Sequence, residues 1–342
     1  MTLSHRATVG IAEQSVVGTG VNPTILVPHT SFSLSENNEQ LRDSGRRGPD
    51  SMDFRAVQGI GWSEISVEGN VQTHLNTGMP VGVFARNILA SGGAYTVTQI
   101  PTASGVYNHD RVLGTTKEYI TLEHGALGGA NDRRAIGCRV SELTFRYNAA
   151  EGFVNYAATL TGRKTSLVTL TSLSGQVTNP EDPFRSWQAE LVVNGVANFA
   201  RLISAEWTLS RNVTRLYTGD NSQDFADIYL GPLEVTCSLV FDYTVVTDIA
   251  MFRAKTQGSL LTSFTFGTEG VSDRRGFEIG GILFDFGDGP AEIDASGDNM
   301  TLALTARGLY STGNSPITGN PATIAQNGPI HIRTKETQAA AY

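Results

Sequence analysis

Two cysteines in 342 residues, Cys138 and Cys237, are too few and too far apart for a disulfide framework or a C-x-x-C pair. A reducing compartment is the simplest setting for them. Histidine is also sparse. His5, His29, His74, His109, His124 and His331 form no H-x-H or i,i+4 pair, so no zinc site is expected. No run approaches ~18 consecutive apolar residues, so no membrane-spanning helix is predicted. The opening stretch, MTLSHRATVGIAEQ, has no apolar core of signal-peptide length. Charge is thin at 17% and skewed to acid, with a net value of -8. A surface that grips DNA needs clustered Lys and Arg, and this chain does not supply them. An acidic channel through which nucleic acid slides without adhering remains compatible with that balance. Catalytic signatures are missing too. There is no G-x-S-x-G, no Cys close to a His, and no GKS or GKT after the glycine pairs. No enzyme activity, metal or cofactor is expected.

Helical periodicity is nearly absent as well. Pro80 to Leu89 and Thr247 to Lys255 are the two candidates, the first weakened by Gly82 and the second opened by Thr247 or Asp248 as a cap. What the chain has instead is alternation. Leu143-Thr-Phe145-Arg-Tyr147, Val154 to Leu160, Leu233 to Phe241, Ile282 to Phe286 and Leu302 to Leu304 each place apolar residues at every second position. The 37 glycines supply turns between them. The expected fold class is all-β, with one short helix in each half.

The halves echo one another. Gly48-Pro-Asp-Ser-Met-Asp-Phe54 reappears as Gly219-Asp-Asn-Ser-Gln-Asp-Phe225, sharing the Gly, the Ser, the second Asp and the Phe. In the same order, Phe32-Ser-Leu34 matches Trp207-Thr-Leu209, Glu64-Ile65 matches Glu234-Val235, and Phe84 matches Phe252. Asp132-Arg-Arg134 then matches Asp273-Arg-Arg275, and Leu160 matches Leu304. The spacing between matches shortens once, placing an inserted loop in the first copy near 92–116. Two tandem domains from an internal duplication are predicted, at 1–180 and 181–342, joined near Asn179-Pro-Glu-Asp-Pro183. The first ~25 residues and the tail beyond Asn327 read as arms outside the repeat.

The recurring acidic loop has three readings. Oxygens alternate at Asp220, Ser222 and Asp224 as in a calcium loop, but Phe225 stands where the turn glycine belongs and Gly231 where the final Glu belongs. An ordinary loop would use its Ser and Asp on backbone amides and bury Phe54 and Phe225. The third reading is a repeated self-association contact, in which Asp53 or Asp224 meets Arg133, Arg134, Arg274 or Arg275 across domains or subunits. The same arginines could instead clamp a phosphate or stand at solvated hairpin tips.

The segment Ala135 to Arg163, with a strand, a small-acidic-glycine turn and a second strand ending in Thr159-Leu-Thr-Gly162, resembles tailed-phage tail tube proteins. Trp187 to Gly195 and Ser204 to Asn212 are similar to the tube subunits of long-tailed siphophages. The resemblance spans about residues 30–330 and does not account for the 92–116 insertion. It implies β-sandwich or barrel domains that close into rings and stack into a tube. For a chain with two such domains, it implies a homotrimeric, pseudo-hexameric ring around a lumen for DNA. It further implies tail terminator, tape measure and distal tail proteins as partners, DNA as a non-specific passenger, no membrane, and a place in the virion tail after synthesis in the host cytoplasm. Capsid decoration or baseplate hub proteins, and a two-domain carbohydrate-binding β-sandwich, are the competing readings.

Overall fold

The computed structural model describes residues 7–43, 55–74, 79–92, 95–99, 105–125, 131–171, 173, 180–197, 202–219, 222–243, 253, 257–266, 275–287, 292–294, 300–317, 325–336 and 339. The first half contributes β1 (Thr8–Gln14), β2 (Ile25–Leu26), β3 (Ser31–Asp43), β4 (Arg55–Asn70), β5 (Gln72–His74), α1 (Pro80–Leu89), β6 (Tyr95–Gln99), β7 (Tyr107–Val112), β8 (Tyr119–Gly125), β9 (Asp132–Asn148), β10 (Asn155–Gly162) and β11 (Ser166–Val168). The second half contributes β12 (Pro180–Pro183), β13 (Ala189–Val193), β14 (Val196–Ala197), β15 (Leu202–Leu216), β16 (Asp227–Asp242), β17 (Gln257–Phe266), β18 (Arg275–Asp285), β19 (Glu292–Asp294), β20 (Thr301–Gly308), β21 (Ser311–Asn314), β22 (Ala325–Gly328) and β23 (His331–Glu336). The fold is all-β, and every alternating segment of the sequence lies in or against one of these strands.

The halves share a strand order. In the first, antiparallel pairing runs β3–β4–β10–β9–β8–β1–β2. In the second it runs β15–β16–β20–β18–β17–β13–β14. The sequence matches fall into place within it. Leu34 faces Ile65 in one hairpin, and their counterparts Leu209 and Val235 face each other in the other. Leu160 and Leu304 occupy corresponding strands but not corresponding registers, since Leu160 faces Ile65 whereas Leu304 faces Leu239. Both long hairpins carry a bulge. The second carries two irregularities, one of them between Arg211 and Val213, opposite Gly231 and Pro232, which is where a strand tolerates a residue without an N–H.

Parts of the segments expected as arms and as a loop are strands. Residues 8–14 form β1, the counterpart of β13, so the repeat begins earlier than the sequence matches indicated. The region near 92–116 contains the hairpin β6–β7, and β7 pairs with β23 from the tail. Strand β23 also pairs with β18, so it bridges the first half's inserted hairpin and the second half's sheet. Short, polar strands such as His331-Ile-Arg-Thr-Lys-Glu336 carry almost no hydrophobic signal, which is why this one read as an arm outside the repeat.

The helix at Pro80–Leu89 is present, with Pro80 at its start and Ala90 closing it in the left-handed conformation at φ 51°. All its residues except Arg86 are buried, so packing on both sides outweighs the cost of Gly82. The second helix candidate lies outside the described residues apart from Arg253, which is helical.

One hydrophobic cluster draws on both halves. Phe145 meets Phe277 at 4.7 Å and Tyr147 meets Phe264 at 5.8 Å between ring centroids. Trp207 is buried edge-on to Phe284 and donates from Nε1 to Thr262 Oγ1 at 3.1 Å, a packing role rather than a ligand-binding one. The halves also join edge to edge. β9 pairs with β15 from Glu142↔Ser210 to Asn148↔Ser204, which makes the sheet continuous across the repeat.

Candidate assembly surfaces

The first copy of the recurring loop, 48–54, lies outside the described residues, and the second is described apart from 220–221. Ser222 Oγ accepts from the Asp224 N–H at 3.1 Å, a local turn built by the side chain. Asp224 Oδ1 accepts from the Lys164 N–H at 3.4 Å, and the Gln223 carbonyl accepts from the Gly61 N–H at 3.1 Å. Phe225 is fully buried with Tyr119 and Ile228, and Trp62, Val213 and Tyr217 pack against them. Asp224 therefore braces the second half's hairpin tip against the first half. Asp220, the first of the alternating oxygens, lies outside the described residues.

Other contacts tighten that clasp. Asp227 accepts from Lys117 Nζ at 2.6 Å and from the Tyr119 hydroxyl at 2.5 Å. Burial works against its charge, but these two donors and the Ile228 N–H hold its carboxyl below the usual range. Lys117 lies over the Tyr229 ring at 3.9 Å, and Arg215 lies over Trp62 at 3.9 Å.

The arginines of the first Asp-Arg-Arg are engaged within the chain. Arg134 Nε donates to Glu123 Oε1 at 2.7 Å, and its Nη2 donates to Asn22 Oδ1 at 2.9 Å. Arg133 Nη1 lies 3.5 Å from Glu36 Oε2 with its side chain 47% exposed. Neither arginine is brought to Asp224 within the protomer. Asp53 and Arg274 lie outside the described residues, and Arg275 is placed only as the first residue of β18.

Sequence reasoning missed a polar assembly between β7 and β23. Asp110 Oδ1 receives Arg333 Nε at 2.6 Å and His331 Nε2 at 2.8 Å, while His331 Nδ1 lies 2.7 Å from Ser315 Oγ. Burial lowers the His331 pKa, so its ring is neutral, with Nε2–H donating to the carboxylate. Burial opposes ionisation of Asp110, but the His331 and Arg333 donors outweigh it and its pKa falls. Arg111 donates to Thr334 Oγ1 at 2.8 Å, Lys335 donates to Glu278 at 2.8 Å, and Glu336 Oε2 accepts from the Met79 N–H at 2.7 Å. Nearby, Arg86 bridges Glu13 and Glu118 at 2.5 Å each. Burial, and secondarily the charge of Glu118, push Glu13 up to about 8 against the pull of Arg86. The local signal for this layer was a run of chemically mixed residues in two short strands, His109-Asp-Arg111 and His331 to Glu336. Only their pairing reveals that they face each other.

These arrangements are latches, in which buried charges such as Asp110, Arg333 and Lys335 meet groups of another strand. A comparison with curated proteins finds no match. The family model described as phage tail tube protein matches residues 4–330. With nearly the whole chain covered and an all-β fold of repeated strand order, the chain belongs to the phage tail tube protein family and is a structural subunit of a phage tail tube.

Proposed function

We propose that this subunit forms trimeric, pseudo-hexameric rings that stack into a tube, with DNA passing through the lumen as a non-specific passenger. The observation that carries this reading is the repeat itself: two halves of one strand order, joined side by side through β9 and β15. A chain that already places one half beside its copy needs only the same step between subunits to close a ring. The acidic balance of -8 suits a passage that DNA must leave as readily as it enters. Tail terminator, tape measure and distal tail proteins are the expected partners, in a virion tail assembled from subunits made in the host cytoplasm. No catalytic role is proposed. The two tandem units would span 1–180 and 181–342. Arg133, half exposed beside Glu36, together with Arg274 and Arg275, would meet acidic groups of a neighbouring copy, Asp53 among them. Asp224, already bound to the Lys164 amide, would serve chiefly within the protomer.

Negative-stain electron microscopy of concentrated protein, with native mass measurement of its smallest closed species, tests this. Rings or tubes with a central hole and masses in trimer multiples are expected. A persistent monomer at high concentration, or rings built from another number of copies, would contradict it.

A further inference from the structure

We infer that the seam between copies is a strand-to-strand junction joining β19 of one chain to the first part of β3 of the next, formed in the same way as the β9–β15 seam within the chain. The inference deepens the proposed self-assembly and rests on it, because it names the surfaces that meet. In the second half, β19 pairs with β20 as Glu292↔Ala303, Ile293↔Leu302 and Asp294↔Thr301, prolonging β18 along the same neighbour. Strands β18 and β19 thus stand beside β20 as β9 stands beside β10. In the first half the far end of β9 receives β15. The counterpart of β15 is β3, and among the described residues the strand partner of β3 is β4 alone. Each half therefore offers one side of a junction that the chain completes only once.

Burial marks both sides of the uncompleted junction. Phe145 on β9 and Trp207 and Leu209 on β15 are buried where the internal seam covers them. Phe32 and Leu34, the counterparts of Trp207 and Leu209, are only half buried although they pack on the same core. Ile293 is 44% exposed, while its cross-strand partner Leu302 is fully buried. The stretch from Ser31 to Asn37 also carries no Lys, Pro or bulge, the devices that usually keep an edge strand from pairing. Farther along the hairpin, Leu41 and Val57 face each other across β3 and β4 and are both exposed. The corresponding hairpin of the second half is instead clasped by Trp62, Lys117 and Tyr119. A second copy of this chain is the occupant that fits, because the chain's own internal seam shows the same kind of edge accepted by the same kind of strand. Its contact is head-to-tail and uses different surfaces on the two copies, the geometry that closes rings.

The register can be read by cysteine pairing. Glu292 lies on the face opposite Ile293, as Ser31, Ser33 and Ser35 lie opposite Phe32 and Leu34, and residues directly paired in antiparallel strands share a face. The native Cys138 and Cys237 are buried and do not compete. Glu292→Cys would be combined in turn with Ser31→Cys, Ser33→Cys and Ser35→Cys, and the assembled protein oxidised. Disulfide-linked multimers in a preferred register are expected, with none from the single-cysteine variants. A separate Ile293→Lys variant is expected to raise the concentration for half-assembly about tenfold or more while leaving monomer melting unchanged. Rings that form normally in all three double variants yet give no cross-link would overturn the seam while leaving the proposed function standing. Protein that stays monomeric under the microscope would overturn both.

Discussion

Phe225 and Asp224 show what the recurring loop does at the scale of single residues. The phenyl ring is fully buried in a small cluster at the join between halves, so Phe225→Ala is expected to cost about 3 kcal/mol in chemical denaturation. Faster amide exchange at Gly61, which donates to the neighbouring Gln223 carbonyl, should accompany it. Asp224→Asn keeps the oxygen that accepts from the Lys164 amide and should be nearly silent in stability. Arg134 is a different case, because its partner Glu123 is almost fully buried. Arg134→Glu leaves that carboxylate uncompensated and is expected to destabilise by about 3 kcal/mol. Glu13 sets a pH dependence. Its folded pKa, about 8, lies above the ordinary value of 4.5, so the folded chain holds a proton that the unfolded chain releases between those values. Its contribution is full below about 4.5 and is lost as pH rises towards about 8, leaving no further slope above. Glu13→Gln should flatten that part of the stability profile in melts taken across the range, and an unchanged slope would assign it to another group.

The elements differ sharply in how well the sequence foretold them. Leu143 to Tyr147 and Leu233 to Phe241 alternate cleanly because one face of each strand packs on the shared core. The helix at Pro80–Leu89 was the candidate weakened by Gly82, and burial on nearly every side blurs its amphipathic contrast. Strands β7 and β23 were not legible, because side chains such as Asp110, Arg111, Arg333 and Lys335 read as solvated until their partners are known. Charge at a position tells the reader its chemistry, not whether a distant strand will neutralise it. The same limit applied to Arg134, whose type drew attention while Glu123 passed unnoticed. The β7–β23 latch can be tested directly. Asp110→Asn removes the carboxylate that holds Arg333 and His331, and a loss of about 3 kcal/mol is expected in denaturant unfolding. Because β23 is paired on both edges, the same substitution should speed exchange at amides of β18 as well as β7.

At the scale of the whole molecule, some of the sequence matches coincide with corresponding strand positions and others do not. Matched pairs such as Leu34 with Ile65 and Leu209 with Val235 survive as facing residues, whereas β1 and β13 share no visible motif and correspond only through their sheet neighbours. Edge-to-edge joining explains why a single core cluster runs through both halves, and thermal unfolding is expected to show one cooperative transition rather than two. Two resolved calorimetric transitions would show that the halves melt independently. The β9–β15 junction has a kinetic consequence. Because it forms within one chain, its strength is independent of dilution, whereas a junction between chains weakens as protein becomes scarce. In a ring built from such chains, fixed joints would alternate with reversible ones. Closure would then depend on a lower power of subunit concentration than it would for unfused halves, and an opened ring would part only at alternate joints.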